Sequence, residues 1–186
     1  MQSVPRSGER INLFSLVAYI PDPLRIYLDC LREELVPSCQ LRAHVTVLPP
    51  RPLSDNLTAA SEKLRLDARE FLPFEAEVGD VEIFSLTSVI YLAVGKGFSK
   101  FRRMHDVLNS GALQFCEPYP YHPHITLAQQ ISPEQAPGVF EMARTRWAEC
   151  PHPRRFPVDT LTFVQGASNG DWVDLEEVPV GVVAAK

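Results

Sequence analysis

Two short runs of β-favouring residues, each holding a His-x-Thr, constrain this chain more than any other feature. They are Arg42-Ala43-His44-Val45-Thr46-Val47-Leu48 and His122-Pro123-His124-Ile125-Thr126-Leu127-Ala128, with His44 and His124 standing 80 positions apart. Side chains alternate between faces along a strand, so His44 and Thr46 share a face with Arg42, while Ala43, Val45 and Val47 share the other. The second run repeats the pattern: His122, His124 and Thr126 lie on one side, and Pro123, Ile125 and Leu127 on the other. Such a strand buries its apolar face and presents imidazole and hydroxyl to a ligand. Two of them predict one site built twice.

The surrounding chain supports a duplicated architecture. Residues 1–10 read as a flexible leader, and 11–186 as a single domain of two pseudo-symmetric lobes. Ile11 to Ile20 is an apolar run expected to form a buried strand. Asp22-Pro23 reads as an N-cap followed by a proline at the first helical position, and Leu24, Leu28, Leu31 and Leu35 follow at amphipathic spacing. The first His-x-Thr strand is expected to stop at Pro49-Pro50, because prolines cannot continue a central ladder. Ser54 or Asp55 can cap a second helix with the stripe Leu57, Leu64, Ala68 and Phe71. Strands are expected over Phe74 to Phe84 and Thr87 to Val94, then a helix carrying Phe101, Met104 and Leu108 that Gly111 stops. Ser132-Pro133-Glu134-Gln135 has the form of a capping box, and Phe156 to Val164 and Trp172 to Val178 read as two closing strands. The order His-x-Thr strand, helix, strand, strand therefore occurs twice. An α+β fold with antiparallel sheets, a bilobed shape, a central groove lined by the marked faces and helices outside is the expectation.

The chemistry follows from the residue types. Histidine titrates near neutrality, so one imidazole accepts a proton while a second, charged one donates. Thr46 and Thr126 can hydrogen-bond the oxygens of a tetrahedral anion. A phosphate ester fits best, since a nucleophile enters on one side of phosphorus and an alkoxide leaves on the other, each needing one proton-transfer group.

These paired motifs, preceded by Arg42-Ala43 and by Tyr121-His122-Pro123, resemble the two-histidine phosphoesterase superfamily, which includes RNA 2',5'-ligases and 2',3'-cyclic phosphodiesterases. The resemblance implies a bilobed fold, no cofactor and no metal, with His44 and His124 as the catalytic pair and Thr46 and Thr126 binding phosphate. It points to metal-independent hydrolysis of a 2',3'-cyclic phosphate on a nucleotide or RNA end, run in reverse as 2',5' ligation. Near-equivalence of the motifs leaves acid and base unassigned.

Arg42 and His122 point toward the expected groove and are candidates to touch phosphate or base. Tyr121, Phe84 and Trp172, with Tyr119, are candidates to stack a nucleobase; aromatic residues in strands are more often core. A zinc site of His44, His122 and His124 is a rival reading, weakened because Arg42 takes the place in the first half that His122 takes in the second. A non-catalytic nucleotide-binding module is another rival. Lys96, Lys100, Arg102 and Arg103 read as a solvated basic face, and Gly95-Lys96-Gly97 lacks the Ser or Thr of a phosphate loop. His105 and His152 have no partner pattern and no assigned role.

Composition excludes other classes. The formal charge is −5, which argues against a protein that tracks a long nucleic-acid backbone. With 45% hydrophobic and 22% charged residues the chain is too apolar for disorder. It has no signal-peptide core or membrane-length run, so a cytoplasmic monomer is the expectation. Cys30, Cys39, Cys116 and Cys150 lack Cys-x-x-Cys spacing and read as reduced thiols.

Overall fold

Each His-x-Thr run becomes the edge strand of its own sheet, and that placement organises the molecule. The structure is a computed structural model that describes residues 8–37, 41–53 and 56–181. The elements run β1 (Arg10–Tyr19), α1 (Leu24–Leu35), β2 (His44–Arg51), α2 (Leu57–Asp67), β3 (Phe74–Ile83), β4 (Ile90–Val94), α3 (Phe98–Leu108), β5 (His124–Ala128), α4 (Ala136–Ala148), β6 (Arg155–Val158), β7 (Thr160–Ala167) and β8 (Trp172–Pro179). One sheet has the order β2-β1-β7-β8 and the other β5-β4-β3-β6, with every pairing antiparallel. The fold is α+β, as expected.

The clearest repeat is strand, helix, His-x-Thr strand: β1-α1-β2 in one lobe and β4-α3-β5 in the other. In each, the His-x-Thr strand pairs with the strand that opens the unit. The order read in the sequence, which began at the motif, also occurs twice, as β2-α2-β3-β4 and β5-α4-β6-β7, but β3 and β4 share a sheet whereas β6 and β7 do not. Strands β2 and β5 adjoin, α1 packs on β5, and α3 packs on β2. Each helix therefore supports the other lobe's motif.

Burial explains these elements. Leu24, Leu28, Leu31 and Leu35 line the buried face of α1, and Phe101, Met104 and Leu108 that of α3. They join Leu16, Val45, Val47, Leu92, Ile125 and Leu127 in one core shared by both sheets. Truncating a fully buried leucine such as Leu28 to alanine costs about 2–5 kcal/mol in such packing. Trp147 on α4 donates from its indole to the Gly79 carbonyl of β3 at 2.9 Å, fixing that helix to the second sheet. At the turn into α3, Gly97 has φ of +96°, and a Cβ there would come within 3.1–3.3 Å of Phe74 and Ala76.

Several local expectations are corrected. Strand β2 continues through Pro49-Pro50 to Arg51, because an edge strand needs no donor on its open side and the β1 register shifts beside the prolines. The run Phe156 to Val164 is split at Asp159: β6 pairs in one sheet and β7 in the other. Asp22 does not cap α1; it pairs with Arg25 at 2.7 Å, and Pro23 occupies the cap. Ser54 and Asp55 lie outside the described residues, and the α2 cap is Asn56, whose side chain accepts from the Ala59 amide. Leu57 is exposed, so the α2 stripe is Ala60 and Leu64, continued by Ala68 and Phe71. Ser132 accepts from the Gln135 amide, but this forms a turn ahead of α4 rather than its cap.

Candidate active site

Both motif imidazoles are held by one backbone device. His44 Nδ1 donates to the Arg42 carbonyl at 2.7 Å, and His124 Nδ1 donates to the His122 carbonyl at 2.7 Å. A carbonyl only accepts, so the neutral ring carries its proton on Nδ1 and keeps a lone pair on Nε2. The strands that carry the rings share a burial pattern. In His44-Val45-Thr46-Val47-Leu48 and His124-Ile125-Thr126-Leu127-Ala128, histidine and threonine are partly exposed and the other three residues are buried. Among the described residues, neither Nε2 atom nor either threonine hydroxyl has a hydrogen-bond partner in the protein.

Desolvation sets the charge of the pair. Burial pushes His44 down to about 4; the Arg42 carbonyl and Asp29 oppose this, while Arg32 and His124 add to it. His124 is lowered too, first by burial and then by the neighbouring His122, against the pull of the His122 carbonyl. His124 adds to the lowering of His44, in keeping with the contact between the two edge strands that carry them. Without an anion beside them, both rings are neutral at physiological pH.

The flanks differ. Beside His44, the Tyr19 ring meets the imidazole edge to face at 6.2 Å, and the Arg42 guanidinium lies 3.9 Å over that ring. Asp174 on β8 accepts from the Tyr19 hydroxyl at 2.6 Å and from Arg42 at 3.5 Å. Beside His124, Phe84 and Tyr91 stack at 4.0 Å, and both rings approach the imidazole edge to face at 5.1 and 5.2 Å. His122 sits against Phe84, Tyr91 and Phe98 at 5.2–5.7 Å.

Among the residues singled out in the sequence, His44, His124, Thr46, Thr126, Arg42, His122 and Phe84 thus come to one region. Tyr121 reaches it differently: its hydroxyl donates to the Thr46 carbonyl at 2.8 Å and its ring stacks on His105. Trp172 starts β8, on the same face as Asp174 and two residues before it. Tyr119 is exposed. Lys96 pairs with Glu75, and Lys100 lies over Phe74, so these cations serve the β3 surface. Among the described residues, no group of three or more His, Cys, Asp or Glu side chains could hold a metal ion. A cavity of about 460 Å³ between the end of α1 and the start of α4 is lined by none of the four motif residues.

Sequence reading missed Tyr19, Asp174, Tyr91, Phe98, Arg32 and His105. Two of these carried a signal. Arg32 follows Leu28 by four and His105 follows Phe101 by four, so both fall on the apolar stripe of their helices, and both are buried. A polar side chain on such a stripe has a partner to find.

Two antiparallel sheets meeting at a pair of His-x-Thr edge strands define a two-histidine phosphoesterase. The chain belongs to the 2'-5' RNA ligase superfamily, whose model matches residues 20–170. This puts its function in the phosphoesterase and ligase class. A Bacillus licheniformis protein provisionally named a phosphoesterase is 24% identical over 140 residues, covering 74% of this chain and 80% of its own length. Among solved structures, E. coli LigT complexed with 3'-AMP is similar with a TM-score of 0.61 at 18% identity, covering 93% of this chain and 98% of LigT. The Thermus thermophilus protein TT0787 gives 0.63 at 18% identity, covering 90% and 97%. These structural likenesses concern the fold. Among the described residues, no helix is long and apolar enough to cross a membrane.

Proposed function

We propose that the chain hydrolyses 2',3'-cyclic phosphates of nucleotides or RNA ends by metal-independent acid–base catalysis, with His44 and His124 as the proton-transfer pair. The observation that carries this is the matched anchoring of two imidazoles whose Nε2 atoms are left available for a ligand. One Nε2 takes a proton from water as its oxygen bonds to phosphorus; the other, protonated, delivers its proton to the ribose oxygen as that P–O bond breaks. Thr46 and Thr126 donate to the non-bridging oxygens. With a 5'-hydroxyl in place of water, the same groups join RNA ends: the 5'-oxygen bonds to phosphorus, the P–O3' bond breaks as the 3'-oxygen takes a proton, and a 2',5' linkage is left.

The phosphate supplies what the free site lacks. A bound anion favours imidazolium, so it raises both depressed pKa values and lets one ring enter the complex protonated. The aromatic flank of Phe84, Tyr91 and His122 suits a nucleobase, and the Tyr19–Arg42–Asp174 flank suits the charged part of the substrate. Binding of 3'-AMP, ATP and NADP+ by LigT supports a small nucleotide as ligand. The test is turnover of 2',3'-cyclic nucleotides with and without EDTA. A nucleoside monophosphate product that forms equally in chelator, and not with His44→Ala or His124→Ala, is the expected result. Tight binding without turnover would leave a binding module instead, and loss of activity in EDTA would overturn the metal-free mechanism.

A further inference from the structure

We propose that Tyr121 is a positioning residue that sets the spacing of the two imidazoles, held in place by a buried relay of Arg51, Glu117 and His105. The inference rests on the two-histidine reading of the site. Tyr121 stands three residues before His124 and one before His122, whose carbonyl anchors the His124 ring. Its hydroxyl crosses to the opposite lobe and donates to the carbonyl of Thr46, two residues beyond His44. One hydrogen bond therefore joins the backbone of one motif to the segment that fixes the other motif's ring.

The tyrosine is itself fixed. Its ring lies 4.0 Å from that of His105 and within 4° of parallel, so the hydroxyl has one line of approach. His105 is buried on α3, with Nε2 3.0 Å from Glu117 Oε1. The same carboxylate oxygen pairs with Arg51, which is 1% exposed and ends β2. Arg51 also donates to the Asn109 side chain at 2.6 Å and the Leu113 carbonyl at 3.0 Å. The contacts thus begin at Thr46, pass through Tyr121, His105 and Glu117, and return to β2 at Arg51. A closed loop of this kind resists sliding of the two edge strands, whose adjoining sides have no ladder pairing them.

The first lobe shows that this is a distinct arrangement. Aligning the apolar stripes of α1 and α3 puts Arg32 where His105 stands. Arg32 donates to the Leu41 carbonyl, and Asp29 accepts from the Ala43 amide at 2.7 Å, so the segment before His44 is clamped within its own lobe. The segment before His124 is clamped to its neighbour instead.

Tyr121→Phe keeps the ring stack and removes the crossing hydrogen bond. Tyr27→Phe is the matched control, since Tyr27 also donates to a backbone carbonyl, that of Arg146, between α1 and α4. With 2',3'-cyclic AMP as substrate, Tyr121→Phe is expected to lower kcat about tenfold with KM changed less than about twofold, the signature of an interaction that acts on geometry. The ring 15N resonances of both His44 and His124 are expected to move in this variant and to stay in Tyr27→Phe. His105→Phe, which keeps a flat ring but not the Glu117 contact, is expected to shift kcat the same way, and the double variant to be no slower than the worse single one. Tyr121→Phe matching Tyr27→Phe in kcat and in both resonances would overturn the proposal. Absence of turnover in the unmutated protein would instead remove the proposed reaction, and the ring resonances would still decide the role of Tyr121.

Discussion

The two lobes present the same imidazole in the same way and surround it with different chemistry. Around His44 the neighbours are ionic: Arg32, Arg42, Asp29 and Asp174, with Tyr19 between them. Around His124 they are aromatic: Phe84, Tyr91 and, through His122, Phe98. What the lobes share is made by the backbone, since each motif strand begins at its histidine and the carbonyl two residues earlier lies just ahead of it, where it accepts from the ring. What differs is carried by side chains from α1, α3, β1, β4 and β8, from the residues just ahead of β2 and β5, and from the loop after β3. On the proposed function, the duplicated fold keeps two equivalent proton-transfer groups and gives the substrate an asymmetric seat, with charge toward one end and a flat ring toward the other.

The largest effects test the equivalence. His44→Ala and His124→Ala should each lower kcat by about 10²–10⁴, the range for loss of a positioned acid or base. The double variant should be no slower than the worse single one, because two groups serving one proton relay act as a unit. Each single variant should lose one limb of the bell-shaped pH profile, and not the same limb. A variant with both limbs intact would break the pairing.

The aromatic flank is next. Phe84→Ala removes the ring stacked on Tyr91 and should raise KM for cyclic nucleotides by about tenfold, at the low end of base-stacking energies. KM for a cyclic phosphate without a base should stay the same. Equal losses for both substrates would mean that Phe84 orients His124 and does not meet the ligand.

The ionic flank is sharpened by acidity. Burial is the main cause of the lowered His44 pKa and Arg32 adds to it, so Arg32→Met should raise it part of the way from about 4, read by ring NMR, while His124 moves less. The sign of the stability change follows. A histidine whose folded pKa lies below its unfolded value holds fewer protons when folded, so stability falls as pH drops from about 6.5 to about 4. The substitution should flatten that slope, measured as Tm against pH. Since both rings are depressed in the free protein, kcat/KM should peak below pH 6.5, and kcat, which reports the complex, at higher pH.

How much of this was legible depends on whether the cause is local. Alternation of His44 and Thr46 against Val45 and Val47, and the leucine spacing of α1, are properties of neighbouring residues and can be read directly. The hand-off at Asp159 is not, because the residues on either side of it are equally apolar and only the sheets they join distinguish them. Pro49-Pro50 looked like a stop because edge position is a property of the assembled sheet. Within the candidate site, residues on the motif strands can be singled out from the sequence, and those brought beside them by pairing cannot: Tyr19 opposite His44, Tyr91 opposite Thr126, and Asp174 two strands further on.

The smallest effect separates two readings of the ionic flank. Asp174 neutralises Arg42 and accepts from Tyr19, with both members of the ion pair about half exposed. Such a pair contributes under about 1 kcal/mol, so Asp174→Asn should leave stability nearly unchanged, and the amide can still accept from the Tyr19 hydroxyl. The loss of one negative charge should, however, leave Arg42 freer to attract a phosphate. KM at low ionic strength should fall by about twofold and return to the unmutated value at high salt, where exposed charges are screened. The Tyr19 pKa, which Asp174 helps to hold up after burial, should come down in the same variant. A rise in KM would show that Asp174 itself contacts the substrate. The polar end of the site would then be built to grip a hydroxyl-bearing group, and Arg42 would be there to hold Asp174.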